Sequence, residues 1–165
     1  MNLFETIVTV VSLLYAWFAP VIPPVAVSAV TTAEVVSVID GDTIIVTIDG
    51  QEETVRYIGI DTPEPRREGA PECGSHEATE FNRALVEGKP VRLVADEEDR
   101  DQYDRLLRYV YVGEGETEEF VNAALLQAGL AKTLAIPPND THSKQFSTLA
   151  AGAAAVGLGN WSRCE

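Results

Sequence analysis

Between Glu34 and Ile60 the chain reads as three short strands joined by two tight turns, and no other stretch limits the fold as much. EVVSVID and TIIVTID are rich in Val, Ile and Thr and alternate imperfectly, as strands half-buried in a small barrel do. Asp40-Gly41-Asp42 marks the first turn, where Gly41 can take a positive φ. Asp49-Gly50 is a hairpin signal of the strongest short-range kind. It leads into a third strand, about Glu53 to Ile60. Strict alternation there puts Val55, Tyr57 and Gly59 on one face and Arg56, Ile58 and Ile60 on the other. Three strands so joined make a meander.

Acidic clusters stand at two places that strand pairing can bring together. One is Asp40-Gly41-Asp42-Thr43, the other Asp61-Thr62-Pro63-Glu64, and Arg56 projects from the strand between them. Either cluster alone is ordinary turn chemistry. Carboxylates and an arginine together are what phosphate chemistry with a hard metal ion requires. A Ca²⁺ site needs several oxygen ligands, for which Asp42 and Asp61 are the best candidates, with the backbone carbonyl of Thr62 beside them.

Pro63 and Pro65 end the third strand, and Arg66 to Gly74 reads as an exposed polar loop. Ser75 is an N-cap for a helix to about Glu87, stopped by Gly88. Val91 to Asp96 is a fourth strand and Leu106 to Val112 a fifth, with a charged loop from Glu97 to Arg105 between them. A second helix is expected from about Thr117 to Ala128, with Gly129 as its stop. After the loop Pro137-Pro138-Asn139-Asp140, Thr141 can cap a last helix from about His142 to Val156. This order fits an α+β chain: a five-stranded Greek-key barrel of the OB type carrying about three helices. His76 and His142 fall at helix starts, too far apart to argue for zinc.

The first 33 residues stand outside that domain, which covers 34–165. They carry one charged residue, Glu5, and an apolar run from Ile7 to Ala19 followed by Pro20, Pro23 and Pro24. The run suits a signal peptide with Val27-Ser28-Ala29 as its cleavage site, yet no Lys or Arg precedes it. Extended to Val30 it is long enough for a membrane anchor, and a buried core helix is the third reading. Signal and anchor both put the domain outside the cytoplasm, secreted or membrane-anchored. In an exported chain the even cysteine count, Cys73 and Cys164, suggests a disulfide, with two free thiols as the alternative.

The net charge is −14, with 26 acidic residues against 12 basic. That is opposite to the usual footprint of a nucleic-acid binder. It reflects either life in concentrated salt, where repulsion is screened, or simply an acidic soluble surface.

From about Val35 to Ser162 the chain resembles the staphylococcal nuclease-like (thermonuclease) family. The pieces that carry the resemblance are IDGDT, VRYIGIDTPE, CGSHEATEF, DQYDRLLRYVY, VNAALLQAGLAK, NDTH and NWS, in that order. The resemblance implies an OB-fold with three helices and Ca²⁺-dependent hydrolysis of DNA and RNA by a monomer. It implies that Asp42, Asp61 and the Thr62 carbonyl bind calcium, with Asp40 assisting through water. Glu64 matches the acid that orients or deprotonates the attacking water, and Arg56 and Arg105 match the arginines that clamp the phosphate. Tyr103 matches a tyrosine near that phosphate. Two departures bear on substrate capture. Thr133-Leu134-Ala135-Ile136 follows the GLAK segment where relatives can carry tyrosines, and the lysines expected around the groove are mostly missing. Two further readings are a non-catalytic OB-fold module that binds nucleic acid or protein, and a membrane-tethered scaffold that binds calcium only structurally.

Overall fold

The structure, a computed structural model, describes residues 30–65 and 69–164. The signal or anchor expected at the N-terminus lies outside the described residues as far as position 29.

The strands are β1 (Val30–Val38), β2 (Thr43–Ile48), β3 (Gln51–Tyr57), β4 (Gly59–Asp61), β5 (Pro90–Val94), β6 (Leu106–Val112), β7 (Glu119–Phe120) and β8 (Lys132–Leu134). The helices are α1 (Ser75–Val86), α2 (Val121–Gln127), α3 (Ser143–Ala155) and the short α4 (Asn160–Arg163). β1 pairs antiparallel with β2 on one side and β5 on the other, and the β1–β2 register shifts between Val35 and Ser37. β2 and β3 form the expected hairpin, in unbroken register from Thr43 opposite Arg56 to Ile48 opposite Gln51. β5 pairs with β6, and β6 runs parallel to β3, from Val55 opposite Leu106 to Tyr57 opposite Arg108. That last pairing closes a five-stranded barrel in the order β3-β2-β1-β5-β6. This is the OB-type α+β fold that the element order predicts.

Ile44, Val46, Val55, Val91, Leu93 and Val110 fill the barrel. Val86 of α1, Leu125 and Leu126 of α2 and Phe146 of α3 join the same core. Each such side chain contributes roughly 1.5–3 kcal/mol by leaving water.

Four expectations need correction. β1 begins at Val30 rather than Glu34, and Ala33 is buried within it. α1 starts after Gly74, held at φ 83, and Ser75 is its buried first residue rather than its cap. α2 begins at Val121 and not Thr117, because Glu119 and Phe120 pair with β6 after a 3₁₀ turn at Gly115–Thr117. The Thr141 hydroxyl bonds Asp96 at 2.9 Å instead of capping α3.

The strict alternation of the third strand also fails. Gly59 takes φ +80, and a Cβ there would lie 2.6 Å from the ring of Phe146. The break turns both Ile58 and Ile60 into the core together with Tyr57, while Arg56 stays at the barrel mouth. β4 then leaves the barrel and pairs with β8, setting Gly59 opposite Leu134 and Asp61 opposite Lys132.

Candidate active site

The β1–β2 turn supplies the first acidic cluster. Asp40 is buried, and its Oδ1 accepts the Asp42 N–H at 3.0 Å, which fixes the turn. Gly41 sits so close to Thr62 that a Cβ would approach its hydroxyl oxygen to 2.7 Å, so glycine lets the two clusters touch. From Thr62 the backbone N–H donates to Asp42 Oδ2 at 2.7 Å and the hydroxyl at 2.9 Å. The Thr43 hydroxyl donates to Oδ1 at 3.2 Å.

Arg56 crosses between the clusters. Its Nη1 is ion-paired with Asp42 Oδ1, without the alignment of a hydrogen bond, and its Nη2 donates to Asp61 Oδ1 at 2.9 Å. One guanidinium therefore bridges a carboxylate that is almost wholly buried and one that is 52% exposed. Burial pushes the Asp42 carboxyl up to about 6, with Arg56 pulling it down and Asp40 adding repulsion.

The donor set suits a hard divalent cation in kind. Asp42 and Asp61 already converge on one positive centre, and both are oxygen ligands. Among the described residues no group of three or more His, Cys, Asp or Glu side chains gathers to hold a metal. A cation held there would have to draw its remaining ligands from main-chain oxygen and water.

Glu64 follows on the chain. Its carboxyl is pushed up by partial burial first and by the charge of Asp42 second, and among the described residues it has no hydrogen-bond or ion-pair partner. Its backbone is braced: Glu64 N–H donates to Glu72 Oε2 at 3.1 Å, and Glu72 N–H donates to the Glu64 carbonyl at 3.0 Å. The next residue, Cys73, is disulfide-bonded to Cys164 with an S–S distance of 2.07 Å.

Arg105 and Arg56 line one cleft of about 380 Å³, with Tyr103, Leu134 and Ile136 on its walls. The Arg105 guanidinium is held by Asp101, Nε and Nη2 each 2.7 Å from Oδ2, and it lies 5.4 Å from the Tyr103 ring centroid. Tyr103 is 72% exposed. The fold thus gathers Asp40, Asp42, Asp61, Thr62 and Arg56 into one contact network, with Arg105 and Tyr103 across the adjoining cleft. Among the described residues Arg105 makes no hydrogen bond or ion pair to the carboxylates of that network and shares only the cleft with Arg56.

Several residues that build the site went unread in the sequence. Asn82 is fully buried; its Nδ2 donates to the Asp40 carbonyl at 3.0 Å and its Oδ1 accepts from the Tyr57 hydroxyl at 2.9 Å. Its only signal is an amide on the apolar side of α1. Asp101 could have been found as an acid four residues before Arg105 across a turn. Asn139 clasps the charged loop by bonding both the N–H and the carbonyl of Glu98, at 2.8 and 2.9 Å.

The sequence model of the family described as staphylococcal nuclease homologue matches residues 54–163. The chain is similar to a thermonuclease of Staphylococcus intermedius, 42% identical over 106 residues, which is 64% of this chain and 61% of that protein. It is 37% identical over 116 residues to a thermonuclease of Staphylococcus hyicus, covering 70% of this chain and 66% of that one. Endonuclease YncB of Bacillus subtilis (strain 168) is 37% identical over 128 residues, 76% of this chain and 59% of its own length. The chain therefore spans about three-fifths to two-thirds of these relatives.

Proposed function

The chain belongs to the staphylococcal nuclease family, and from that premise we propose that it is a Ca²⁺-dependent nuclease that hydrolyses phosphodiester bonds of DNA and RNA with little sequence preference. One observation carries the reading: the Arg56 guanidinium joins Asp42 and Asp61 at the mouth of the cleft that Arg105 also lines.

Asp42, Asp61 and the Thr62 carbonyl would hold the cation, with Asp40 steadying the turn behind them. When bound, the cation supplies Lewis-acid stabilisation of charge on the phosphate and its attacking water. Arg56 and Arg105 bind the phosphate oxygens, where charge grows as water attacks, and their planar forks suit that task. A guanidinium stays protonated at working pH, so Arg105 acts through its charge and hydrogen bonds. Glu64, whose carboxyl has no hydrogen-bond or ion-pair partner among the described residues, orients the water for in-line attack and takes up its proton. The P–O bond to the leaving oxygen breaks in that step, and the leaving oxygen takes a proton from solvent water. Tyr103 flanks the substrate at the outer lip.

The disulfide supports an oxidising, extracytoplasmic setting for the domain, secreted or tethered through the N-terminal segment. The reading is of a monomer acting alone.

A plasmid-nicking assay of the full chain, with and without Ca²⁺ and from low to molar salt, tests the proposal. Cleavage that needs Ca²⁺ and disappears in Asp42→Ala and Arg56→Ala is the expected result. Full activity in a calcium chelator removes the metal from the reading. Oligonucleotide binding without any cleavage returns the domain to a non-catalytic binding role.

A further inference from the structure

The β4–β8 ribbon has a cleft at each end. Gly59 and Leu134, paired at one end, line the cleft of the two arginines. Asp61 and Lys132, paired at the other, line a second cleft of about 390 Å³. Asp61, Thr62 and Pro63 form one wall of that second cleft, and Trp161 with the Cys73–Cys164 disulfide forms another. The carboxylate pair bridged by Arg56 lies between the two. A polynucleotide whose phosphate sits at Arg56 and Asp61 has to continue past both sides of that point. Arg105 lines the first cleft and, among the described residues, not the second, whereas Asp61 lines the second.

We propose that the second cleft is a nucleoside subsite, in which Trp161 stacks on the base of the nucleotide flanking the scissile phosphate on that side. The proposal rests on the nuclease reading above. Its chemistry selects base and sugar rather than phosphate: Lys132 is the one cation among the described lining residues, against Asp61 and Glu72. The indole is 41% exposed and lines the cleft, which leaves ring surface open to a ligand. The backbone on either side of Trp161 is also held in place before any ligand arrives. The Asn160 N–H donates to the Gly129 carbonyl at 2.9 Å, Arg163 pairs with Glu77 at 2.7 Å, and Cys164 is bonded to Cys73. Such preorganisation lowers the ordering cost of stacking. Stacking releases few counterions, so this contact keeps its strength in concentrated salt, where phosphate contacts weaken.

The test compares Trp161→Ala with the unmodified full chain on two substrates. One is an oligothymidylate, which reaches both clefts. The other is a thymidine phosphodiester whose alcohol on the second-cleft side is methanol. The alanine variant should raise KM for the oligonucleotide by about 5- to 10-fold, at the low end of base stacking on an aromatic. That factor should hold from low to molar salt, with kcat within about twofold, with the methyl diester unaffected and with Trp161→Phe recovering most of the loss. An unchanged KM, or an equal rise for both substrates, overturns the subsite. Should the alanine variant fail to fold, fluorescence decides: the chain has two tryptophans, so Trp17→Phe leaves Trp161 as the only indole. Quenching of that indole by oligothymidylate in EGTA supports stacking, and its absence overturns it. A chain that cleaves neither substrate refutes the nuclease reading, while the quenching experiment still decides the subsite.

Discussion

Asn82→Ala is the sharpest probe of how the barrel core holds the carboxylate turn. The amide sits at 0% exposure between the Tyr57 hydroxyl and the Asp40 carbonyl, with contacts of 2.9 and 3.0 Å. Burial pushes the Tyr57 phenol well above its ordinary range, so it stays a neutral donor that needs an acceptor. Truncation leaves that donor and the Asp40 carbonyl buried without partners. Each costs about 1–3 kcal/mol, so a total of about 3–4 kcal/mol is expected. For a domain of this size that lowers Tm by about 10–15 °C. Tyr57→Phe alone should cost about 1–2 kcal/mol, because it strands only the amide oxygen. In the Asn82→Ala background it should cost nothing, since the phenol has already lost its acceptor. Urea unfolding of the four proteins measures the coupling. Activity below the transition should fall in Asn82→Ala and hold within about twofold in Tyr57→Phe, which keeps the bond to Asp40. Equal costs of Tyr57→Phe in both backgrounds would refute the shared network.

Glu72→Ala should lower turnover by about tenfold with KM little changed, because Glu64 loses one of its two backbone braces, and Glu72→Gln should restore most of it by keeping an acceptor for the Glu64 N–H. Steady-state kinetics of the two variants separates this from a role for the Glu72 charge, under which Gln would match Ala. Cys164→Ser opens a cross-link between residues 91 apart in sequence and should destabilise the domain by up to about 4–5 kcal/mol, read by urea unfolding and compared with the reduced parent chain. Ca²⁺ should tighten binding of a non-hydrolysable oligonucleotide by about 5- to 150-fold, because a cation on Asp42 and Asp61 would release Arg56 for phosphate. Anisotropy titrations in Ca²⁺ and in EGTA measure it; no change would sink the idea that Arg56 links the two.

The barrel was legible because its strands are β-branched and its turns carry Asp-Gly at the right places. The meeting of the two acidic clusters was legible because both flank strands that a hairpin must pair. What the sequence hid has physical reasons. The start of β1 is composed like the apolar stretch before it, so Val30 gives no signal of its pairing with Val94. The phase break at Gly59 is invisible to alternation, since Ile58 and Ile60 look equally at home on either face. It is set by the Phe146 ring, from a helix more than 80 residues away. Asn82 and Asp101 escaped because their work is to hold other groups, and polar residues in α1 and in a charged loop read as solvated. The resemblance to a known family pointed to Arg105, but not to the carboxylate that holds it.

That carboxylate belongs to a wider pattern. Every described arginine has an acidic partner: Arg56 with Asp42 and Asp61, Arg83 with Glu80, Arg92 with Glu118, Arg100 with Glu53, Arg105 with Asp101, Arg108 with Asp99 and Arg163 with Glu77. Lys89 donates to the carbonyls of Ala84 and Leu85 near the end of α1. Among the described residues the arginines are thus held in internal pairs, and with a net charge of −14 little long-range field draws a polyanion toward the chain. Within the site the same pairing has a different consequence. Asp101 and the Asp42–Asp61 pair preset the two guanidinium forks at the cleft and, on the nuclease reading, would compete with phosphate for them. Binding must exchange one oxyanion partner for another, so raising the salt weakens substrate attraction and the competing internal pairs together, though less for the buried Asp42 than for exposed pairs. The acidity of the surface and the completeness of the site are then not in conflict. On the proposed nuclease reading, the site holds a phosphate that reaches it, and the acidic surface leaves capture to contacts inside the clefts.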